Sequence, residues 1–409
     1  MNTEKISSGY DWLLRRSVLI LQAGLTALIW ISMPFALISL RAPLYFVGII
    51  ASVAIFSGLI IRVPLTAYIQ KAGINYFQSM CLIFNGLALI ILSISRTILD
   101  YTFGFVILSM STSMFLLSVK TRDYRGTIAA PLTEMFSLEL WGTVGVFAIL
   151  SLAAVFTGPI SEMYSIFSIV AIAAGLFGFF SRKDKSTGVN PTVQNIPFRN
   201  YLRMPFAYLK AFDSLKNKKV AYLIVASNLG VFASVAMTVP FISSIGVLDS
   251  VSERMVFFAF AIFSVYAFAI SYFPRKFINQ ALGKMLYFIR PIMLLLPLLL
   301  FSMANMPFLF ISGFALIGIW MLMDTISARF LPVGMEESEK DYISKIETVF
   351  RIPFSFLIPL LSSYLWLLSP RFVFALALAP LSLSVVISFI FEDRISTGER
   401  VRAKKLQEV

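Results

Sequence analysis

Few residues in this 409-residue chain stand where they could do chemistry inside its long apolar runs. Arg290, Asp324 and Arg351 lie within such runs, and Glu139 and Glu347 stand where two of them begin. A charge at the centre of a hydrocarbon layer costs about 2.5–3.5 kcal/mol on insertion scales, so such groups are functional candidates by default. Glu347 and Arg351 are four residues apart and can pair along one helix. Arg290 is expected to reach back toward the near surface along its long stem. Asp324, about one turn from the end of its run, could pair with Arg290 or with Arg351. There is no histidine and a single cysteine, Cys81. That excludes an intrachain disulfide and zinc sites of the usual Cys/His kind. No HExxH, paired Asp-x-Asp or nucleophile elbow occurs. No catalytic residue, metal site or cofactor is expected, and the chain is not read as an enzyme.

The elements that must position these residues are long and apolar. The chain is 58% hydrophobic and 13% charged, with mean hydropathy +0.85; an ordinary soluble domain carries about 25% charged residues. A membrane-crossing helix needs about 20 mostly apolar residues. Twelve stretches qualify, near 17–39, 43–61, 75–95, 99–119, 139–158, 160–181, 219–244, 254–273, 285–303, 306–328, 344–368 and 371–391. The run from Pro291 to Ser302 is apolar on every face, whereas a transmembrane β-barrel alternates over segments of about ten residues. The predicted fold class is therefore an all-α membrane protein of twelve transmembrane helices, with the lipid bilayer as its principal partner.

The excess of 34 Lys+Arg over 21 Asp+Glu could suggest nucleic acid. Its distribution argues against that. With twelve spans, 28 of the 34 cations fall on the side of the two termini, while the opposite loops hold only Arg41, Arg96, Arg254 and Arg371. By the positive-inside rule both termini are expected in the cytoplasm of a multi-pass plasma-membrane protein. The N-terminal segment is polar, then aromatic, then basic, and no small-residue cleavage site follows it, so it reads as a retained first helix. Residues 182–218 form the longest polar stretch and divide the spans six and six. From Pro205 this linker turns amphipathic, with Phe206, Leu209 and Leu215 near helical spacing and Lys210 and Lys216 between them, as in a helix lying on a membrane surface. The expected organisation is a six-helix bundle over 1–181, the linker over 182–218, and a second bundle with a short tail over 219–409.

The two halves echo each other. Pro64, Gln70 and Gly73 follow span 2, and Pro274, Gln280 and Gly283 follow span 8, each 210 residues on. MPF at 33–35 matches VPF at 239–241, and Glu139 matches Glu347 at the starts of spans 5 and 11. With these features the sequence resembles the major facilitator superfamily of secondary transporters. That family joins two six-helix halves by a long cytoplasmic loop and carries a Gly-x-Leu-Ala-Asp-Arg-x-Gly-Arg-Arg signature after span 2. Here Arg62-Val-Pro64 stands before the motif and Gly73 matches its second glycine. Thr66, Gln70, Lys71 and Ile74-Asn75 replace the first glycine, the aspartate, the first arginine and the arginine pair. Gln70 can hydrogen-bond but brings no charge. A lock on the cytoplasmic side would therefore run through neutral hydrogen bonds or through Glu139, Glu347 and Arg351. Gly73 and Gly283 also read as simple turn residues. The Gly-Pro signature of many proton-coupled drug exporters is not matched: Gly142 and Gly145 have the wrong spacing, and Gly158-Pro159 falls at a loop.

The resemblance implies that spans 1, 4, 7 and 10 line a central cavity. Its lining would draw on Gln22, Trp30, Ser109, Ser113, Asn228, Thr238, Trp320 and Asp324, with Ser111 and Thr112 beside them. The cytoplasmic gate would comprise Arg62, Pro64, Gln70, Gly73, Glu139, Pro274, Gln280, Gly283, Glu347 and Arg351. For any one residue on this inventory, packing between helices is the readier role. An apolar cavity with a few aimed polar groups suits a small uncharged or amphipathic substrate better than a polyanion. Spans 1 to 4 hold no carboxylate away from their ends, which favours facilitated diffusion. A coupling proton would have to rest on Asp324, Glu139 or Glu347. The leading expectation is a monomeric secondary transporter working by alternating access. The alternatives are a membrane-embedded enzyme, or a transporter-like sensor or lipid scramblase.

Overall fold

A chain whose backbone crosses lipid must satisfy every N–H and C=O internally, and an unbroken helix does so. The computed structural model follows that rule. It describes residues 3–72, 74–123, 132–180, 218–272, 280–303, 306–327 and 337–407, with side chains described for most of the apolar helical cores. The helices are α1 (Thr3–Ser39), α2 (Phe46–Ala72), α3 (Ile74–Ile94), α4 (Ile98–Asp123), α5 (Leu132–Val155), α6 (Ile160–Phe180), α7 (Lys218–Thr238), α8 (Ile242–Leu248), α9 (Glu253–Tyr272), α10 (Gln280–Met303), α11 (Pro307–Ser327), α12 (Glu337–Leu368) and α13 (Pro370–Gln407). A 3-10 turn over Val239–Phe241 joins α7 to α8 in one long rod, so the helices make twelve membrane spans. Seven described stretches are by themselves long and apolar enough to cross a bilayer. The faces they turn outward carry large apolar side chains such as Ile94, Ile169, Leu368 and Phe372. That much exposed hydrocarbon is stable only against lipid.

Several helices outrun their predicted spans. The Pro64–Gln70 stretch was expected as a loop, yet α2 stays helical through it to Ala72. The apolar run stops at Arg62, but the helix need not, because Leu65, Ala67, Gln70 and Lys71 are all good helix formers. Likewise α12 begins at Glu337 rather than near 344, and α13 continues to Gln407 rather than ending near 391.

The chain divides into two compact units, Met1–Tyr201 with Gly246–Phe268, and Leu202–Ile245 with Ala269–Val409. In the first unit α1 packs on α5 and α6, α3 lies between α4 and α6, and α2 packs on α4. The α1–α5 crossing is unusually close. A Cβ placed on Gly145 would sit on the backbone carbonyl of Ile20, so Gly145 is where the two helices touch without side chains between them. The membrane-edge end of this unit is tied by hydroxyls. Tyr164 on α6 lies 2.6 Å from Ser32 of α1 and 3.1 Å from Tyr101 of α4, oxygen to oxygen, with all three residues buried. Tyr164→Phe would strand the Tyr101 hydroxyl, at about 1–3 kcal/mol for a buried unsatisfied group. A fall in thermal midpoint in detergent would register this. The double variant Tyr101→Phe/Tyr164→Phe is expected to recover part of the loss, because no polar group is then left behind.

In the second unit α7 packs on α12 and α13, and α10 on α11 and α13. Phe301 sits at its apolar centre, with ring centroids of Phe310, Phe314 and Phe374 5.6–6.1 Å away. Phe241 stacks on Trp366 at 4.6 Å. One backbone device occurs twice. Arg41 after α1 and Ser250 after α8 have φ of 55° and 58°. In each case the next residue's N–H reaches back five residues, Ala42 to Leu37 and Val251 to Gly246. This is the Schellman helix end, met after span 1 and again after span 7, 209 residues on. It extends to the backbone the offset read from the Pro–Gln–Gly repeat.

Candidate functional site

The buried charge of the described residues gathers in the second unit, on three helices that run in the same direction. Asn228 lies on α7, Arg290 on α10 and Glu347 on α12. Hydrogen bonds across the three helices bring these residues together. The Arg290 guanidinium Nη2 donates to Asn228 Oδ1 at 2.6 Å. The Asn228 amide Nδ2 in turn donates to Glu347 Oε1. Glu347 Oε2 then accepts from Arg351 Nη2 at 3.3 Å, one turn further along α12. The Arg351 guanidinium also lies 5.3 Å over the ring of Phe232 on α7.

Burial gives this relay its energetic meaning. Arg290 is 5% exposed and Asn228 8%, while the Glu347 and Arg351 side chains are 12% and 45% exposed. A guanidinium in apolar surroundings is tolerated only when hydrogen-bonded and counter-charged. The amide of Asn228 takes one bond and gives the other, so it links the inner arginine to the carboxylate without adding charge. Arg290 does not extend to the surface, as its long stem had suggested; it is held inside by Asn228. Prolines follow both cations, at 291 and 297 in α10 and at 353 and 359 in α12. Each removes one backbone hydrogen bond from its helix, so the ladder is weakest beside the charged groups.

The sequence had set Asn228 among cavity residues and Glu347 with Arg351 at a gate; the structure joins all three in one network. Trp320 is buried in the same unit, on α11, and its indole N–H has no hydrogen-bond partner among the described residues. Thr238 spends its hydroxyl on the Ser234 carbonyl of its own helix at 2.8 Å. Asp324 lies in α11, with its side chain outside the described residues, as are those of Arg62, Pro64, Gln70, Glu139 and Gln280. Gly283, expected at a turn, lies inside α10 instead, because the flanking Gln280, Ala281, Leu282 and Lys284 are good helix formers. Gly73, Pro274 and the 182–217 linker also fall outside them.

In the first unit the predicted cavity residues are mostly engaged in packing. Gln22 of α1 is 2% exposed and accepts from Asn85 Nδ2 of α3 at 2.7 Å. The pair leaves Gln22 Nε2 and Asn85 Oδ1 buried without a partner among the described residues. Ser109 and Ser113 of α4 surround the space a Cβ on Gly58 of α2 would fill. Ser111 donates to the Cys81 carbonyl at 2.6 Å, and Thr26 and Thr112 hydroxyls stand 3.4 Å apart. Trp30 meets Phe105 edge to face at 5.3 Å. Sequence reasoning missed Asn85 and the Ser32–Tyr101–Tyr164 cluster. Asn85 had a signal, since it is an amide in the middle of an apolar span.

No protein family model matches the sequence, and no curated protein matches it by sequence. Solved structures do match, along nearly the whole chain. The nucleoside transporter NupG is similar at TM-score 0.67 and 15% identity, covering 93% of this chain and 98% of its own. The fold is that of the major facilitator superfamily. The same major facilitator fold is seen in two further similar structures. The human organic anion transporter MFSD10 (TETRAN) matches at TM-score 0.59 and 14% identity, over 92% of this chain and 99% of that one. A bacterial homolog of the human lysosomal transporter Spinster, in its inward-facing form, matches at 0.64 and 10%, over 94% and 96%. Likeness at such low identity is a likeness of fold, with side chains largely replaced.

Proposed function

We propose that this chain is a secondary transporter that moves a small uncharged or amphipathic solute by alternating access, its two halves rocking about a site near the middle of the membrane. The observation that carries this reading is the end-to-end match of a major facilitator fold to solved transporters, with 96–99% of each of their chains covered. Polar groups buried deep in a twelve-span protein add to it. Asn228, Arg290 and Glu347 are costly to place in an apolar bundle, and such groups mark solute or ion pathways. The proposed topology has both termini in the cytoplasm of the plasma membrane, and the proposed working unit is one chain. On this reading the aimed donors and acceptors of the second unit meet the polar end of the solute, and apolar helix faces meet the rest.

A thermal-stabilisation screen of small uncharged and amphipathic solutes on the purified protein would find the cargo. Uptake of that solute into proteoliposomes is then expected to proceed at the same rate with and without a pH gradient. If uptake followed the gradient, and Asp324→Asn abolished that dependence, the uncoupled mechanism would be wrong.

A further inference from the structure

The turn between α3 and α4 forms a groove unrelated to the buried network. It encloses about 630 Å³, within the range of roughly 300–1,000 Å³ typical of small-ligand pockets. Its walls are apolar, with Ile91 and Ile94 from α3 and Leu99, Phe103 and Val106 from α4. Leu99 is 80% exposed and Ile94 69%, so in a membrane this wall faces lipid. Two opposite charges, Arg96 and Asp100, stand at its mouth. Asp100 Oδ2 closes the start of α4 by accepting from the Thr97 N–H at 3.2 Å and the Thr97 hydroxyl at 2.7 Å. Arg96 makes no ion pair with Asp100 or with any other carboxylate among the described residues.

We propose that this groove is a binding site for a phospholipid with a primary-amine headgroup, phosphatidylethanolamine in its chemistry. Arg96 meets the phosphate, the Asp100 carboxylate accepts from the ammonium, and an acyl chain lies along Ile94, Leu99 and Phe103. The charge order selects the headgroup. An anionic lipid without an amine would set its charge against Asp100. A choline headgroup keeps the positive charge but has no N–H to donate. Arginine–phosphate contact is bidentate and charge-assisted, the strong kind of hydrogen bond. The apolar walls hold the chain at the depth where the headgroup reaches both charges.

Native mass spectrometry of the full-length protein, delipidated and then offered equal amounts of phosphatidylethanolamine, phosphatidylcholine and phosphatidylglycerol, tests the site. The expected result is a phosphatidylethanolamine adduct favoured by about threefold or more, the scale of one exposed charge contact. Arg96→Gln should abolish that preference, and Val106→Trp should lower retention of all three lipids by filling the groove. Arg371→Gln, which removes a different exposed arginine, at the start of α13, should leave the preference intact. Arg96 is outside the Thr97–Asp100 cap, so Arg96→Gln is expected to fold as the parent does. Asp100→Asn gives a second arm, scored only on protein that elutes as the parent does. Equal retention of the three lipids, preference for phosphatidylglycerol, or an unchanged preference in Arg96→Gln would each overturn the proposal.

Discussion

Glu347→Leu is expected to destabilise the second unit by about 1–3 kcal/mol, the cost of leaving a buried amide donor unsatisfied, with little added by the pair to half-exposed Arg351. The substitution takes away the acceptor of the Asn228 amide and the counter-charge of Arg351 together. It also leaves the Arg290 guanidinium, 5% exposed, linked to an amide that has lost its Glu347 acceptor. Adding Arg290→Met is expected to restore a substantial part of the lost stability, because methionine fills much of the same volume and needs no partner. The thermal midpoints of wild type, both singles and the double form a cycle. Coupling well above the few tenths of a kcal/mol seen for independent sites is the expected outcome. Additive effects would mean that Arg290 and Glu347 do not act through Asn228. The stabilised double variant should still fail to transport, which separates a role in function from a role in folding.

Gly145→Val is expected to abolish the folded first unit. The space its side chain would need is held by the backbone of Ile20, including the carbonyl, so no rotamer change can clear it. Overpacking costs typically about 1–3 kcal/mol when side chains give way; here α1 and α5 must separate along their contact. The measurement is the yield of monodisperse protein by size-exclusion chromatography in mild detergent. Gly142→Ala, one turn earlier on α5, provides the control. Its Cβ would meet only the Ala23 methyl at 3.9 Å, an ordinary contact, so near-parental yield is expected. Comparable loss in both variants would show that α5 tolerates no added bulk anywhere and that the close approach at Gly145 is not special.

Gly145 also shows what could be read in the sequence and what could not. It stood out within a glycine-bearing span, and its spacing argued against an exporter signature; only the crossing partner, Ile20, reveals its packing role. Span number and span order were legible because twenty apolar residues have one stable solution in lipid. Helix ends were less so. Arg62 and Lys71 stop an apolar count but not a helix, and α2 runs on to Ala72. The site was half legible. Arg290, Glu347 and Arg351 were conspicuous as charges in apolar runs. Their pairing was hidden, because it depends on the level each helix reaches and on Asn228, whose amide looked like one polar residue among many. Asn85 and Gln22 pair by the same kind of lateral register, which spacing along a single helix cannot express.

The central claim is that the chain carries a solute across the membrane. Counterflow tests it most directly: proteoliposomes preloaded with the solute found by stabilisation, then diluted into a radiolabelled trace of it. The account predicts saturable accumulation of label above protein-free liposomes, lost in the Glu347→Leu/Arg290→Met double variant. A solute that stabilises the protein yet accumulates no faster than in protein-free liposomes would contradict it, and would leave a major facilitator fold that binds without carrying.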